Sequence, residues 1–415
     1  MGPGFRRDNG FAYVGAIEMT IAAKAQIDWA LRDAVEAREV PGIVALAASD
    51  RGILYEGAFG VRDVDAGSPM TLDTVFRIAS MTKAVTSVAA MQLVEQGKIG
   101  LDDPVPKIDP ALNRPQVLDG FDAAGRPRLR PARRPITLRH LLTHTAGFVY
   151  EVWNADALRY VEATGTPRVM SGSFETLRRP LAFDPGDRWE YGTNTDWVGR
   201  VVEVVGGTSL DSYLRDRIFM SLGMRDTGFV PSPEQHARQA HVHQRRGGGS
   251  FESQPLPPPA TPEFFAGGGG LVSTGPDYLN FLRMLLNGGM LNGARILKPE
   301  TVALMHANHI GELPAGIMQS CNPEVSADVD FFPGAPLRWS LAYMLNIEPG
   351  PTGRSAMSGS WAGIFNSYYW LDPARHVAGV ILSQFLPFAD PAMLRLYGRF
   401  ERGVYASRGV SPPAC

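Results

Sequence analysis

From Ile21 to about Val40, Ala, Ile, Leu and Val recur at helical spacing with charges between them, the pattern of an amphipathic helix. The stretch PGIVALAASDRGILYEGAFG reads instead as two strands around a turn at Asp50-Arg51-Gly52. A second helix is predicted from about Ser80 to Gln96, stopped by Gly97. The Pro-rich connections LDDPVPKIDPALNRP and PRLRPARRPITL flank a small hairpin, and TLRHLLTHTAG reads as a short helix closed by Gly147. From about 150 to 300 the pattern is mainly helical, broken by long loops. The longest, QRRGGGSFESQPLPPPATPEFFAGGGG, is too rich in Gly and Pro for a packed element. Near the C-terminus IFNSYYWLD and HVAGVILSQ are β-rich runs, and residues 390–406 close the chain with a helix.

Strands at both ends, joined by short turns and sharing one sheet, predict an α+β fold. It is an antiparallel sheet flanked by N- and C-terminal helices and carrying a large, mostly helical insertion. The expected division puts 19–79 and 300–410 in the α/β part and 80–299 in the helical part, with the active site between them. Residues before Met19 lack pattern and read as an extension. A hydrophobic content of 44% and a net charge of −2 are ordinary, and give no reason to expect nucleic acid or an acidic membrane surface. No apolar run has the length of a signal peptide or membrane span. Cys321 and Cys415 stand without Cys or His companions. The expectation is a soluble, cytoplasmic protein with free thiols, no metal and no cofactor, acting on a small molecule; the oligomeric state stays open.

One residue alters this bland picture. The chain holds five Lys against thirty-five Arg, yet Lys83 lies on the otherwise apolar face of the helix that starts at Ser80. Lys is the basic side chain that burial can deprotonate near neutral pH. Ser80 and Lys83, three apart, share a helix face, and a neutral amine there can take the Ser proton. The free N–H groups at the start of the helix favour a developing negative charge. Alone, Ser-x-x-Lys is a weak motif that also describes an N-cap and a solvated Lys.

Two further stretches add weight: DRWEYGTNTDWVGRVVE, with Tyr191 at the start of another helix, and SGSWAGIFNSYYWLD, with Trp361-Ala362-Gly363 leading into a C-terminal strand. In this order the motifs resemble the serine β-lactamase and penicillin-binding superfamily. Within it the chain is most similar to class C β-lactamases and, closer still, to family VIII carboxylesterases; it also resembles the lovastatin-type acyltransferases. The likeness runs from about Ile21 to Tyr405 and includes ITLRHLLTHTAGF, GGGGLVSTGPDYLNFLRMLLNGG and FFPGAPLRWSLAYMLN. It implies that Ser80 is the acylated nucleophile, Lys83 its base and Tyr191 the second proton-transfer residue. The N–H groups of Ser80 and Ile364 would form the oxyanion hole, with substrate lying along the strand past Gly363.

Where related lactamases open the third motif with Lys, this chain has Trp361, so an anionic substrate would lose a charge-assisted contact typically worth about 1.5–3 kcal/mol. Asn194 falls one place later than the Asn of a Tyr-x-Asn motif, missing or displaced as a substrate-gripping amide. Both departures point to neutral esters, and Trp361, Gly363 and Asn194 are carried as substrate-binding candidates. Tyr150 and Trp153 are expected to line the acyl pocket. The implied activity is short-acyl ester hydrolysis through an acyl-enzyme. The alternatives are acyl transfer, weak β-lactamase or peptidase activity, and a sensor that is acylated but never turned over. His140 and His144, four apart, lack the Glu of a zinc motif and read as structural, as do His241 and His243 in a loop. GGGG at 267–270 has no Lys-Ser/Thr after it and reads as close backbone packing.

Overall fold

The computed structural model describes residues 19–105 and 108–410; the expected N-terminal extension and Cys415 lie outside them. Thr20 caps α1 (Ile21–Glu36), its side chain accepting from the Ala23 N–H. The chain then forms β1 (Gly42–Ser49), β2 (Ile53–Asp63) and the short β3 (Ser68–Pro69). Next come α2 (Thr82–Glu95), α3 (Asn194–Gly206) and α4 (Gly275–Leu286). Strands β4 (Leu337–Trp339), β5 (Met344–Asn346), β6 (Ser358–Gly363), β7 (Ser367–Asp372) and β8 (Val377–Leu382) follow, and α5 (Pro391–Ala406) closes the chain.

These strands make one sheet in the order β4-β5-β6-β7-β8-β1-β2-β3, every neighbouring pair antiparallel. The N-terminal hairpin completes a sheet begun by the C-terminal strands, since Val44 pairs with Leu382. Helices α1 and α5 pack together, and α4 packs against β1 and β8. Every residue of β1, β6, β7 and β8 is buried, as expected for strands covered on both faces. The α+β architecture is thus the one the pattern predicts.

Helix α2 is apolar around most of its circumference, and Thr82 to Leu93 are all buried. It runs through the interior, which is why Lys83 is buried. No helix among the described residues is long and apolar enough to cross a membrane.

Four local readings need correction. Trp361 to Gly363 end a strand rather than precede one: Asn366 adopts φ 62°, turning the chain from β6 back into β7. The Gly/Pro-rich segment contributes a hairpin, Val242–Arg245 with Phe251–Gln254, anchored by Phe251 against Phe385 at 5.3 Å. His243 is fully buried there. Its Nδ1 lies 3.2 Å from the Gln384 carbonyl and its Nε2 accepts the Val64 N–H, so it is no surface residue. His140 and His144 share no helix face, because the helix Leu138–Leu142 ends before His144, whose φ is 57°.

Candidate active site

Ser80 occupies a single 3-10 turn, Ala79–Met81, that opens into α2. Leading N–H groups of such a turn have no carbonyl behind them in the helix. Ala79 is held at φ 44°, a conformation that side chains seldom adopt. Long-range contacts impose it. The Ile78 N–H donates to Leu271 O at 3.1 Å, the Arg77 N–H to Gln384 Oε1 at 2.9 Å, and the Tyr278 hydroxyl to Met81 O at 2.9 Å. Gly363 joins this clasp. A Cβ there would overlap the Ile78 carbonyl oxygen, so the end of β6 closes on the turn that carries Ser80. The close approach that needs Gly363 is therefore with the protein's own backbone.

Lys83 is 2% exposed, and its Nζ lies 3.1 Å from Ser80 Oγ, 3.2 Å from the Tyr150 hydroxyl and 2.6 Å from Gly268 O. A neutral amine has two N–H donors and one lone pair. Gly268 O and the Tyr150 oxygen can take the donors, leaving the lone pair for the Ser80 O–H. Burial lowers the amine to about 7, the Asp196 carboxylate opposing that shift. At neutral pH the ammonium and the neutral amine are therefore both populated, so the amine can act as a base.

Tyr191 is 3% exposed, its phenol beside Ser80 and its ring 4.7 Å from Lys83 Nζ. Burial holds its phenol well above the usual range, the bonds with Ser80 and Trp361 opposing, so it stands protonated at neutral pH. Tyr150 is likewise raised by burial, which makes it a donor or acceptor but not a phenolate. The two tyrosines are held side by side because the Tyr150 N–H donates to Tyr191 O at 3.3 Å.

Ser80 opens onto a cavity of about 240 Å³ whose walls include Tyr150, Trp153, Met170, Phe264, Ile364 and Phe365. Among the described residues no Lys or Arg lines it, and Asp196 does. A larger cavity of about 350 Å³ lies elsewhere, beside α5 and around the buried Arg354–Glu401 ion pair, with no share of Ser80.

Trp361 and Asn194 are not placed as substrate contacts. Trp361 is 3% exposed and lies behind Tyr191, its indole N–H donating to the phenol oxygen at 3.0 Å. Asn194 is fully buried. Its amide donates to Phe148 O at 2.8 Å and stands 3.1 Å from His144 Nδ1, packing the segment beneath Tyr191. Tyr150 reaches Lys83 as well as the pocket, a role the sequence reading missed. Asp196 was missed altogether.

Trp361→Phe keeps an aromatic ring against Trp339, now 4.6 Å away, but removes the N–H. Loss of one such hydrogen bond should lower kcat about tenfold with little change in KM, as steady-state kinetics would read. An unchanged kcat would mean that the indole only fills space.

The chain is 33% identical over 400 residues to monacolin J acid methylbutanoyltransferase of Aspergillus terreus, covering 92% of this chain and 95% of that one. It is 30% identical over 405 residues to lovastatin esterase of Penicillium rubens, covering 91% and 98%. Its fold is similar to that of unliganded simvastatin synthase from Aspergillus terreus, with a TM-score of 0.79, 30% identity and coverage of 93% and 99%. The family model described as Beta-lactamase matches residues 27–402, and the chain belongs to that family.

Proposed function

We propose that this protein is a serine carboxylesterase that hydrolyses short-acyl, neutral esters through an acyl-enzyme at Ser80. The observation that carries this reading is the buried Lys83 amine 3.1 Å from Ser80 Oγ, with Ser80 itself at the wall of a largely apolar cavity that no Lys or Arg among the described residues lines. Lys83 takes the Ser80 proton as Oγ attacks the ester carbonyl. The carbonyl oxygen gains its negative charge between the N–H groups of Ser80 and Ile364. Tyr191 gives its proton to the departing alkoxide and regains one from the Lys83 ammonium, which returns the amine to its neutral state. Alcohol leaves, and the reverse sequence with water frees the acid.

The small cavity supports short acyl groups, being below the usual range of about 300–1,000 Å³ for ligand pockets. A carboxylate-bearing β-lactam would find no cation there and would meet Asp196. A second reading, transfer to an alcohol in place of water, is favoured by the similarity to the methylbutanoyltransferase.

The test is a panel of p-nitrophenyl esters from acetate to octanoate beside a chromogenic cephalosporin, each with and without a competing alcohol. Turnover should be greatest at acetate or butyrate. Cephalosporin turnover exceeding that of every ester would refute the proposal. New ester formed in proportion to added alcohol would establish transfer as the main reaction.

A further inference from the structure

The tightest contact to the Lys83 amine comes from a backbone oxygen, that of Gly268 at 2.6 Å, so whatever holds Gly268 holds the amine. Asp196 does so. It lies in the first turn of α3, 5% exposed, and its Oδ1 accepts the Gly268 N–H at 2.8 Å. The fit leaves no room for a side chain, because a Cβ at 268 would stand 2.6 Å from Asp196 Oδ2 and 2.9 Å from its Cγ. The neighbouring Gly267 carbonyl is fixed from the other side by the Thr86 hydroxyl at 2.8 Å. Gly268 is thereby clamped between α2 and α3 with its carbonyl directed at the amine.

We propose that Asp196 is a positioning residue for proton transfer at Lys83: its carboxylate fixes Gly268, whose carbonyl aims the amine, and its charge favours the ammonium that forms when Ser80 is deprotonated. This rests on the acyl-enzyme reading above. The ionisable groups around the amine come from several elements. They are Tyr150 and His144 from the segment after the Leu138–Leu142 helix, Tyr191 from the approach to α3, and Asp196 from α3 itself. Burial keeps both phenols protonated and His144 neutral. Burial raises the Asp196 carboxyl above the usual carboxylate range, with the Lys83 ammonium and the Gly268 N–H opposing; as a carboxylate it opposes the loss of the Lys83 proton and disfavours the anions of both tyrosines.

Removing the charge while keeping an acceptor oxygen, as Asp196→Asn does, should make Lys83 easier to deprotonate. The acid limb of activity should then move to lower pH by half a unit or more. Asp196→Ala removes the acceptor too, frees Gly268, and should lower kcat at least tenfold with KM nearly unchanged. The experiment follows the rate at which a fluorophosphonate probe modifies Ser80, by intact mass, from pH 5 to 9 in wild type and both variants. Ester kinetics run alongside, and circular dichroism melting checks the fold. An acid limb that stays in place in the Asn variant, or an Ala variant whose loss lies wholly in KM, would overturn the role of Asp196. Failure of the probe to label Ser80 in the wild type would instead overturn the acyl-enzyme reading itself.

Discussion

Ser80→Ala should reduce ester turnover at least about 10⁴-fold, the scale on which serine hydrolases respond to loss of their nucleophile. The Ser80 hydroxyl lies 3.1 Å from Lys83 Nζ and beside the Tyr191 phenol. Without it, Lys83 has no proton to take at the cavity wall. Intact-mass analysis during turnover should show an acyl adduct on the wild type and none on the variant. Because Ser80 is only partly buried, the change should leave the melting temperature nearly where it was. Retention of more than a few per cent of wild-type turnover would place the chemistry elsewhere.

Lys83 gives the second large effect, and it has two sides. The amine is lowered from 10.5 to about 7 by burial, so kcat/KM should rise with pH through about 7 as it becomes neutral. Lys83→Arg should abolish that limb together with the activity, because a guanidinium does not give up its proton. Lys83→Met is the more revealing change. A group that binds its proton less tightly when folded contributes fully to stability above its unfolded value, near 10.5. That contribution is lost as pH falls towards 7. At pH 7 the wild type therefore carries a penalty of up to roughly 4 kcal/mol that Met would not. The Met variant should be inactive and yet melt at a higher temperature at pH 7, with the gap closing as pH approaches 10.5. A variant less stable at both pH values would mean that the hydrogen bonds of the amine outweigh its desolvation.

The α+β architecture was legible in the sequence because β-rich apolar runs bounded by turn residues lie near both ends of the chain, with helical spacing between them. Ser80 and Lys83 were legible for a local reason: a three-residue offset on a helix carries both side chains the same way whatever the rest of the fold does. Strand residues offer no such assurance. Which way Trp361 points depends on strand parity, and it points behind Tyr191. Its indole N–H hydrogen-bonds to the phenol, a contact that the substitution of Trp for a Lys does not suggest. Asn194 was misread because a motif position was taken for a contact, although helix α3 turns it inward beneath His144. Asp196 and Gly268 lie 72 residues apart in sequence, and only the folded chain joins them. The hairpin at 242–254 was hidden by its glycine-rich turn, which masks the alternation on either side.

The central sheet has a consequence for how the protein is made. Strand β1 leaves the ribosome among the first elements, yet one of its two partners, β8, is among the last. The Ser383 hydroxyl bonds to the Gly42 carbonyl across 341 positions of sequence. Until translation is nearly complete, one edge of β1 is an unfilled strand edge, open to pairing with other nascent chains. Gln384, which braces Arg77 ahead of Ser80, arrives with that same late segment. Chains released short of about residue 385 would therefore leave the ribosome inert and prone to aggregate, even though Ser80, Lys83, Tyr150 and Tyr191 had all been synthesised.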